Sequence, residues 1–329
     1  MLVLDPATDA VTHSTIRELP RYLDSGDLLV LNDSRVLPAR LLGRRRDGGE
    51  AEVLLLRPLE GDRHRWEALI RPARRLDPGS QVRFDGSPLA VSIDERRGET
   101  ATVRLNGVDP LAEVRRIGVM PTPPYIKERL REPERYQTVF ARQEGSAAAP
   151  TAGLHFTPEL LAAVRNRGVG LAFITLHVGI DTFRPVRVDD PTQHAIHREW
   201  FRVDDGTATA INATRQQGGR VVAVGTTTVR VLETGAAGDR IEPGEGWTGL
   251  RILPGHRFRL VDAMLTNFHL PKSSLLMLVS AFAGRERVLA AYAEAIRERY
   301  RFYSFGDCMF ISRRTPSPTL PTRGREDRV

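Results

Sequence analysis

The stretch Val261 to Gly284, VDAMLTNFHLPKSSLLMLVSAFAG, constrains the fold most strongly. Leu260 to Leu265 reads as a buried strand, apolar except for Asp262. A polar, ring-bearing turn follows: Thr266, Asn267, Phe268 and His269. Pro271 ends the turn, because the residue before a proline is pushed out of the helical region. Ser273 or Ser274 can cap a helix from Leu275 to Ala283. That helix is apolar almost all round and must be buried, with Gly284 fitting its C-terminal end. The polar groups gather at the C-terminal end of the strand, the edge at which open α/β sheets bind ligands. Capping and packing in the loop account for Asn267 and His269 equally well.

Other segments repeat the pattern. Asp27 to Asp33, DLLVLND, is a strand running into a turn where Asp33 and Arg35 read as turn formers or as functional groups. Gly170 to Gly179, GLAFITLHVG, is a buried strand with Thr175, His177, Asp181 and Thr182 at its end. Val221 to Val224 runs into Gly225, Thr226, Thr227 and Thr228, then a helix, VRVLET, closed by Gly235. A Gly-Thr-rich helix start offers free backbone N–H groups and hydroxyls, a seat for an anion or carboxylate. Arg230 in the first turn opposes the helix dipole, which Glu233 or an anionic ligand would relieve. GSAAAPTAG, Gly145 to Gly153, suits close backbone approach to a ligand or simple flexibility. His155 and Phe156 follow it, and Thr157 caps the helix PELLAAVRNRG, with Pro158 in its first turn.

The texture changes between Val36 and Gly118. Six short alternating runs, from ARLLGRRR to TATVRLN, are separated by Gly- and Asp-rich turns. Such spacing reads as an antiparallel barrel or sandwich. Its 16 basic and 13 acidic residues exclude a strong polycation. Arg71, Arg74 and Arg75 cluster at one strand end, as a solvated rim or as phosphate contacts.

Composition narrows the classes. No run of eighteen apolar residues exists to span a membrane, and MLVLDPATDA lacks the basic and apolar parts of a signal peptide. A single cysteine, Cys308, excludes an internal disulfide and a multi-Cys zinc site. A cytosolic protein is expected. Of the net charge of +7, the tail from Ser312 to Val329 carries +3, with five Arg against one Glu and one Asp. That tail is Pro- and Arg-rich and reads as disordered. His194 and His197, with Glu199 close behind, have a spacing that a metal tolerates, but no further ligand is dictated. GEGWTG, Gly244 to Gly249, matches a dinucleotide motif literally, yet follows no strand and opens no helix, so that reading fails its context.

Together, PTAGLHFTPELL, TLHVGIDTFRPV, HAIHREWF, VVAVGTTTVRVLE, VDAMLTNFHLPKSSLLMLVSAFAG and YRFYSFGDCMFI resemble the S-adenosylmethionine:tRNA ribosyltransferase-isomerases of queuosine biosynthesis. GDLLVLNDSRVLPARL, MPTPPYI and YQTVF fit the same family upstream. Two features depart from it. Family members begin with an extra N-terminal segment before the strand matched by Leu2 to Asp5, and Ile180-Asp181 stands where small residues are usual. The resemblance implies that the ribosyl part of S-adenosylmethionine moves onto an aminomethyl-deazaguanine base in the tRNA anticodon. It isomerises there to an epoxycyclopentane, and adenine and methionine leave. S-adenosylmethionine is then a co-substrate, and tRNA the partner.

That chemistry needs a base to take a hydrogen from the ribose 5′-carbon, an acid for adenine and an anion seat for the methionine carboxylate. The strand ends supply these types: His155, His177, Asp262 and His269 for proton transfer, and Gly225 to Thr228 with Arg230 for the carboxylate. Phe156, Phe183 and Phe268 offer ring faces, and Asn267 a polar contact. Among the candidate bases, His269 is favoured over Asp262, which can face the sheet interior. The expected fold is a mixed-sheet α/β domain, residues 1–35 and 119–311, with an inserted six-stranded antiparallel β-barrel, residues 36–118, and a disordered tail, 312–329. A monomer without metal is expected. The alternative is an S-adenosylmethionine-dependent RNA methyltransferase, which would release S-adenosylhomocysteine. A non-catalytic RNA-binding module fits less well, because the barrel lacks interleaved aromatics.

Overall fold

A computed structural model describes residues 1–59, 62–123, 125–126, 130–179 and 198–312. Four parallel strands form the centre: β1 (Leu28–Asn32), β2 (Gly170–Leu176), β3 (Val221–Val224) and β4 (Ala263–Asn267). Their spatial order is β2-β1-β3-β4, each pair parallel. Antiparallel strands Glu199–Val203 and Gly244–Thr248 extend the sheet beyond β2. Cys308–Ser312, Leu2–Asp5 and Ala10–His13 extend it beyond β4, giving nine strands among the described residues.

The central strands are mostly apolar, with polar residues only towards their carboxyl ends, because both sheet faces are covered. Their alternate residues enter two different cores. Val30, Ala223 and Met264 face one, while Leu29, Leu31, Val222, Val224, Ala263 and Leu265 face the other. Helix α1 (Thr226–Thr234) follows β3, and α2 (Ser274–Ala283) follows the loop after β4. Ser273 caps α2, its hydroxyl accepting from the Leu276 N–H at 3.2 Å, as its position in the sequence implies.

The expected barrel is present and closed. Its strands are Arg40–Arg45, Glu50–Leu59, Asp62–Arg71, Gln81–Arg83, Ala90–Arg97 and Thr100–Asn106, all paired antiparallel. Closure leaves no free sheet edge, and alternating residues such as Val53, Ile70, Val91 and Val103 fill its own core.

Two boundaries differ from expectation. Thr266 and Asn267 belong to β4, not to the turn, because they pair with Met309 and Cys308 from the far end of the chain. Asp262 stands before the strand. Its carboxylate accepts from the Val221 N–H at 3.0 Å and pairs with Arg215 at 3.5 Å. It pins the amino edge of the sheet, the end opposite the candidate chemistry. Ser312, counted with the tail, completes the last strand and bonds Arg220 at 3.1 Å; residues 313–329 lie outside the described residues, as does the disorder expected of them. No helix among the described residues is long and apolar enough to cross a membrane.

Candidate active site

In the order β2-β1-β3-β4, the chain passes from β1 to β2 on one side and from β3 to β4 on the other, so the connections part between β1 and β3, and a crevice opens there at the carboxyl edge. A cavity of about 480 Å³ lies there. Its walls come from widely separated parts of the chain: Ala149 to Ala152, Val178, Glu199, the start of α1, Leu250 to Ile252, the end of β4 with the loop to α2, Tyr125, and Tyr303 with Ser304.

Helix α1 begins at Gly225, whose φ of +88° suits glycine. No side chain caps this end, so the first-turn N–H groups of Thr226 and Thr227 are presented at the cavity wall. Thr228 does not join them. It is fully buried, and its hydroxyl donates back to the Val224 carbonyl at 2.7 Å. Arg230 lies in the second turn of α1, not the first, and lines the cavity. Its anionic partner is Glu199, not Glu233. Glu233 is taken up by the N–H groups of Arg259, Leu260 and Val261 at 2.9 to 3.1 Å. Arg230 also donates to the Leu250 carbonyl at 3.1 Å, and its Nη2 has no partner among the described residues. A guanidinium nitrogen beside an uncapped helix start has the chemistry to receive a carboxylate.

His269 lines the same cavity, and its Nε2 shares a hydrogen bond of 2.8 Å with the Thr266 hydroxyl. Its backbone N–H donates to the Tyr292 hydroxyl at 2.8 Å, so main chain and ring are both held. Burial pushes its imidazole down to about 4, leaving it neutral at neutral pH. Asn267 donates to the carbonyls of Tyr303 and Ser304 at 2.9 and 3.3 Å, and its Oδ1 has no partner among the described residues. Phe268 borders the cavity but packs its ring against Tyr292, Tyr300 and Phe302, with centroids at 5.2, 5.7 and 4.9 Å.

The remaining candidates separate. Phe156 is a core residue packed against Phe140 and lines neither cavity. His155 also lines neither cavity, and its Nε2 has no partner among the described residues. His177 lines a second cavity of about 320 Å³ between the barrel and the sheet, stacked on Trp200. Asp33 accepts from Thr175 at 2.7 Å and pairs with Arg142, while Arg35 pairs with Glu134, so both serve the fold. Arg71, Arg74 and Arg75 are exposed and make no ion pair among the described residues. Phe183, Asp181, Thr182, His194 and His197 lie outside the described residues. Among the described residues no group of three or more His, Cys, Asp or Glu is placed to hold a metal. Sequence reasoning missed Tyr125, on the Pro-rich connector, and Lys272, which enters the cavity from the loop before α2.

Burial likewise pushes His155 and His177 down to about 4, the nearby Asp307 opposing it at His155. A folded value below the ordinary 6.5 means that the unfolded chain binds more protons between the two. The stability carried by these neutral rings is complete above about pH 6.5 and is lost as pH falls towards about 4. The melting temperature should therefore drop as pH is lowered from about 7 to about 5, and less steeply in His155→Gln. Equal slopes in parent and variant would contradict this assignment.

The profile of the family described as "Queuosine biosynthesis protein" matches residues 1–311. An S-adenosylmethionine:tRNA ribosyltransferase-isomerase of Symbiobacterium thermophilum is 54% identical over 317 residues, covering 94% of this chain and 92% of the relative. One of Moorella thermoacetica is 51% identical over 328 residues, with the same coverage. The crystal structure of an S-adenosylmethionine tRNA ribosyltransferase from Thermotoga maritima is 38% identical, covers 94% of this chain and 91% of its own, and superposes with a TM-score of 0.52. The methyltransferase alternative finds no support among these relatives. The chain belongs to the queuosine biosynthesis family, the S-adenosylmethionine:tRNA ribosyltransferase-isomerases.

Proposed function

We propose that the larger cavity holds S-adenosylmethionine as co-substrate, and that its ribosyl part passes from there to the aminomethyl-deazaguanine of a tRNA anticodon, forming epoxyqueuosine. One observation supports this above the others: PTAG, GTTTVR and NFHLPKSS, far apart in sequence, converge on one cavity at the carboxyl edge of the sheet. In this reading the methionine carboxylate sits on the start of α1 beside Arg230, with Lys272 adding charge. His269, neutral and held by Thr266, takes the proton from the ribose 5′-carbon, which the sulfonium acidifies. His177 serves the second cavity. Asp262 has no part in the chemistry. The reaction runs on proton transfer without a metal, so a chelator should leave turnover unchanged. We further take residues 36–118 as a barrel inserted into a catalytic unit of residues 1–35 and 119–311, acting as a cytoplasmic monomer.

The test is the fate of label. With S-adenosylmethionine labelled in the ribose, the label should enter tRNA; with label in the methyl group, it should leave with methionine. Methyl label in the tRNA would overturn the reading.

The exposed Arg71, Arg74 and Arg75 are proposed to contact phosphates. Replacing all three by Ala should raise the tRNA KM by about tenfold at moderate salt and flatten its salt dependence, because each lost contact releases fewer counterions. The S-adenosylmethionine KM should barely move. An unaltered salt slope would remove this end of the barrel from the RNA path.

A further inference from the structure

The smaller cavity has no role in holding the co-substrate. It lies between Leu56 to Leu59 of the barrel and the strands Glu199–Val203 and Gly244–Thr248 of the sheet. We infer that it is the seat of the target base itself, a guanine-type ring turned out of the RNA chain. The inference rests on the proposed function.

Three features carry it. The first is an aromatic wall. Trp200 and Trp247 stand directly opposite each other on paired strands. His177 stacks on Trp200 with centroids 5.1 Å apart and planes 23° from parallel, and the Arg57 guanidinium lies 5.0 Å from the centre of the Trp247 ring. Flat rings and guanidinium planes are what single-stranded RNA bases stack on. The glycine at position 145 keeps this wall open. Its φ is +144°, and a Cβ there would lie 2.8 Å from His177 Nε2.

The second feature is a carboxylate. Glu67 lines the cavity and is held by Arg57 Nε at 2.7 Å. A guanine-type base presents an N–H and an amino group side by side, two donors that a carboxylate accepts together. Adenine presents a ring acceptor in place of that N–H, so Glu67 selects the target base over the adenine of the co-substrate.

The third feature is position. Glu199 lines both cavities, and its pair with Arg230 forms the wall between them. A base in the smaller cavity would bring its aminomethyl group towards the ribose in the larger one. On the barrel side, Arg57 and Arg198 line the cavity and can meet the phosphates flanking the base. Arg71 lies four residues from Glu67 on the same strand, about 13 Å along it, on a path that RNA can follow.

The test compares Trp247→Ala, Trp247→Phe and Glu67→Gln with the parent in steady-state kinetics. Trp247→Ala should raise the tRNA KM by about tenfold or more, the loss of one stacked base, and Trp247→Phe should restore most of it. The S-adenosylmethionine KM should stay nearly constant. Glu67→Gln should also raise the tRNA KM; if Trp247→Ala fails to fold, this variant decides alone. Two of the three tryptophans line the cavity, so the free aminomethyl-deazaguanine base should quench the intrinsic fluorescence of the parent. An unchanged tRNA KM in Glu67→Gln, or an effect confined to S-adenosylmethionine, would overturn the inference. It would leave the proposed function standing as long as the parent still moves ribose label into tRNA; methyl label there would instead remove that function.

Discussion

Replacing His269 by Ala is expected to lower turnover by roughly a hundredfold or more, the range for loss of a positioned general base or acid. The ring lines the larger cavity, is neutral, and is oriented by Thr266 through a 2.8 Å hydrogen bond. The loop around it does not depend on the ring. The His269 N–H is held by Tyr292, Ser273 caps α2, and Phe268 anchors the turn in an aromatic cluster. The melting curve of the variant should therefore stay close to the parent's. A fall in turnover with an unchanged S-adenosylmethionine KM places His269 in proton transfer. A loss confined to KM makes it a positioning residue. Near-normal turnover with a normal melting curve would return it to packing.

The largest effect on stability is expected at the other edge of the sheet. Arg220 and Asp27 are 4% and 3% exposed, and each precedes a central strand. The Arg220 guanidinium donates to Asp27 at 2.6 and 3.0 Å, to the Tyr22 carbonyl at 3.0 Å and to Ser312 at 3.1 Å. Asp27 also accepts the Arg220 N–H at 3.0 Å and the Asp24 N–H at 2.8 Å. Arg220→Met strands a buried carboxylate and should cost about 3–5 kcal/mol in urea unfolding. The double variant Arg220→Met, Asp27→Leu should recover much of that, because the isolated charge is gone. A loss well under about 1 kcal/mol in the single variant would show that water reaches the pair.

These two edges explain what was legible in the sequence. The barrel could be read almost strand by strand, because alternation and turn residues are local signals. The expected run TATVRLN is the observed strand Thr100–Asn106. The caps on Thr157 and Ser273 are equally local and are present. Long-range pairing was not legible. Thr266 and Asn267 looked like turn residues because their ladder partners, Met309 and Cys308, lie some forty residues on. Arg230 advertised a missing anion, but its partner Glu199 comes from a distant antiparallel strand and reads in sequence only as a possible metal ligand. Asp262 shows the limit of reading polarity alone. An acid at the front of a buried strand and one at its end look alike in sequence, yet the first pins backbone N–H groups and the second faces a crevice. Rings are equally ambiguous: Phe156 packs in the core, while Phe268 both joins an aromatic cluster and borders the larger cavity.

The central claim is that this cavity breaks S-adenosylmethionine at its ribose, not at its methyl group. The most direct measurement is the products released per tRNA modified. The account predicts one adenine and one methionine for each tRNA, with no S-adenosylhomocysteine. S-adenosylhomocysteine formed in step with tRNA modification, without free adenine, would contradict it.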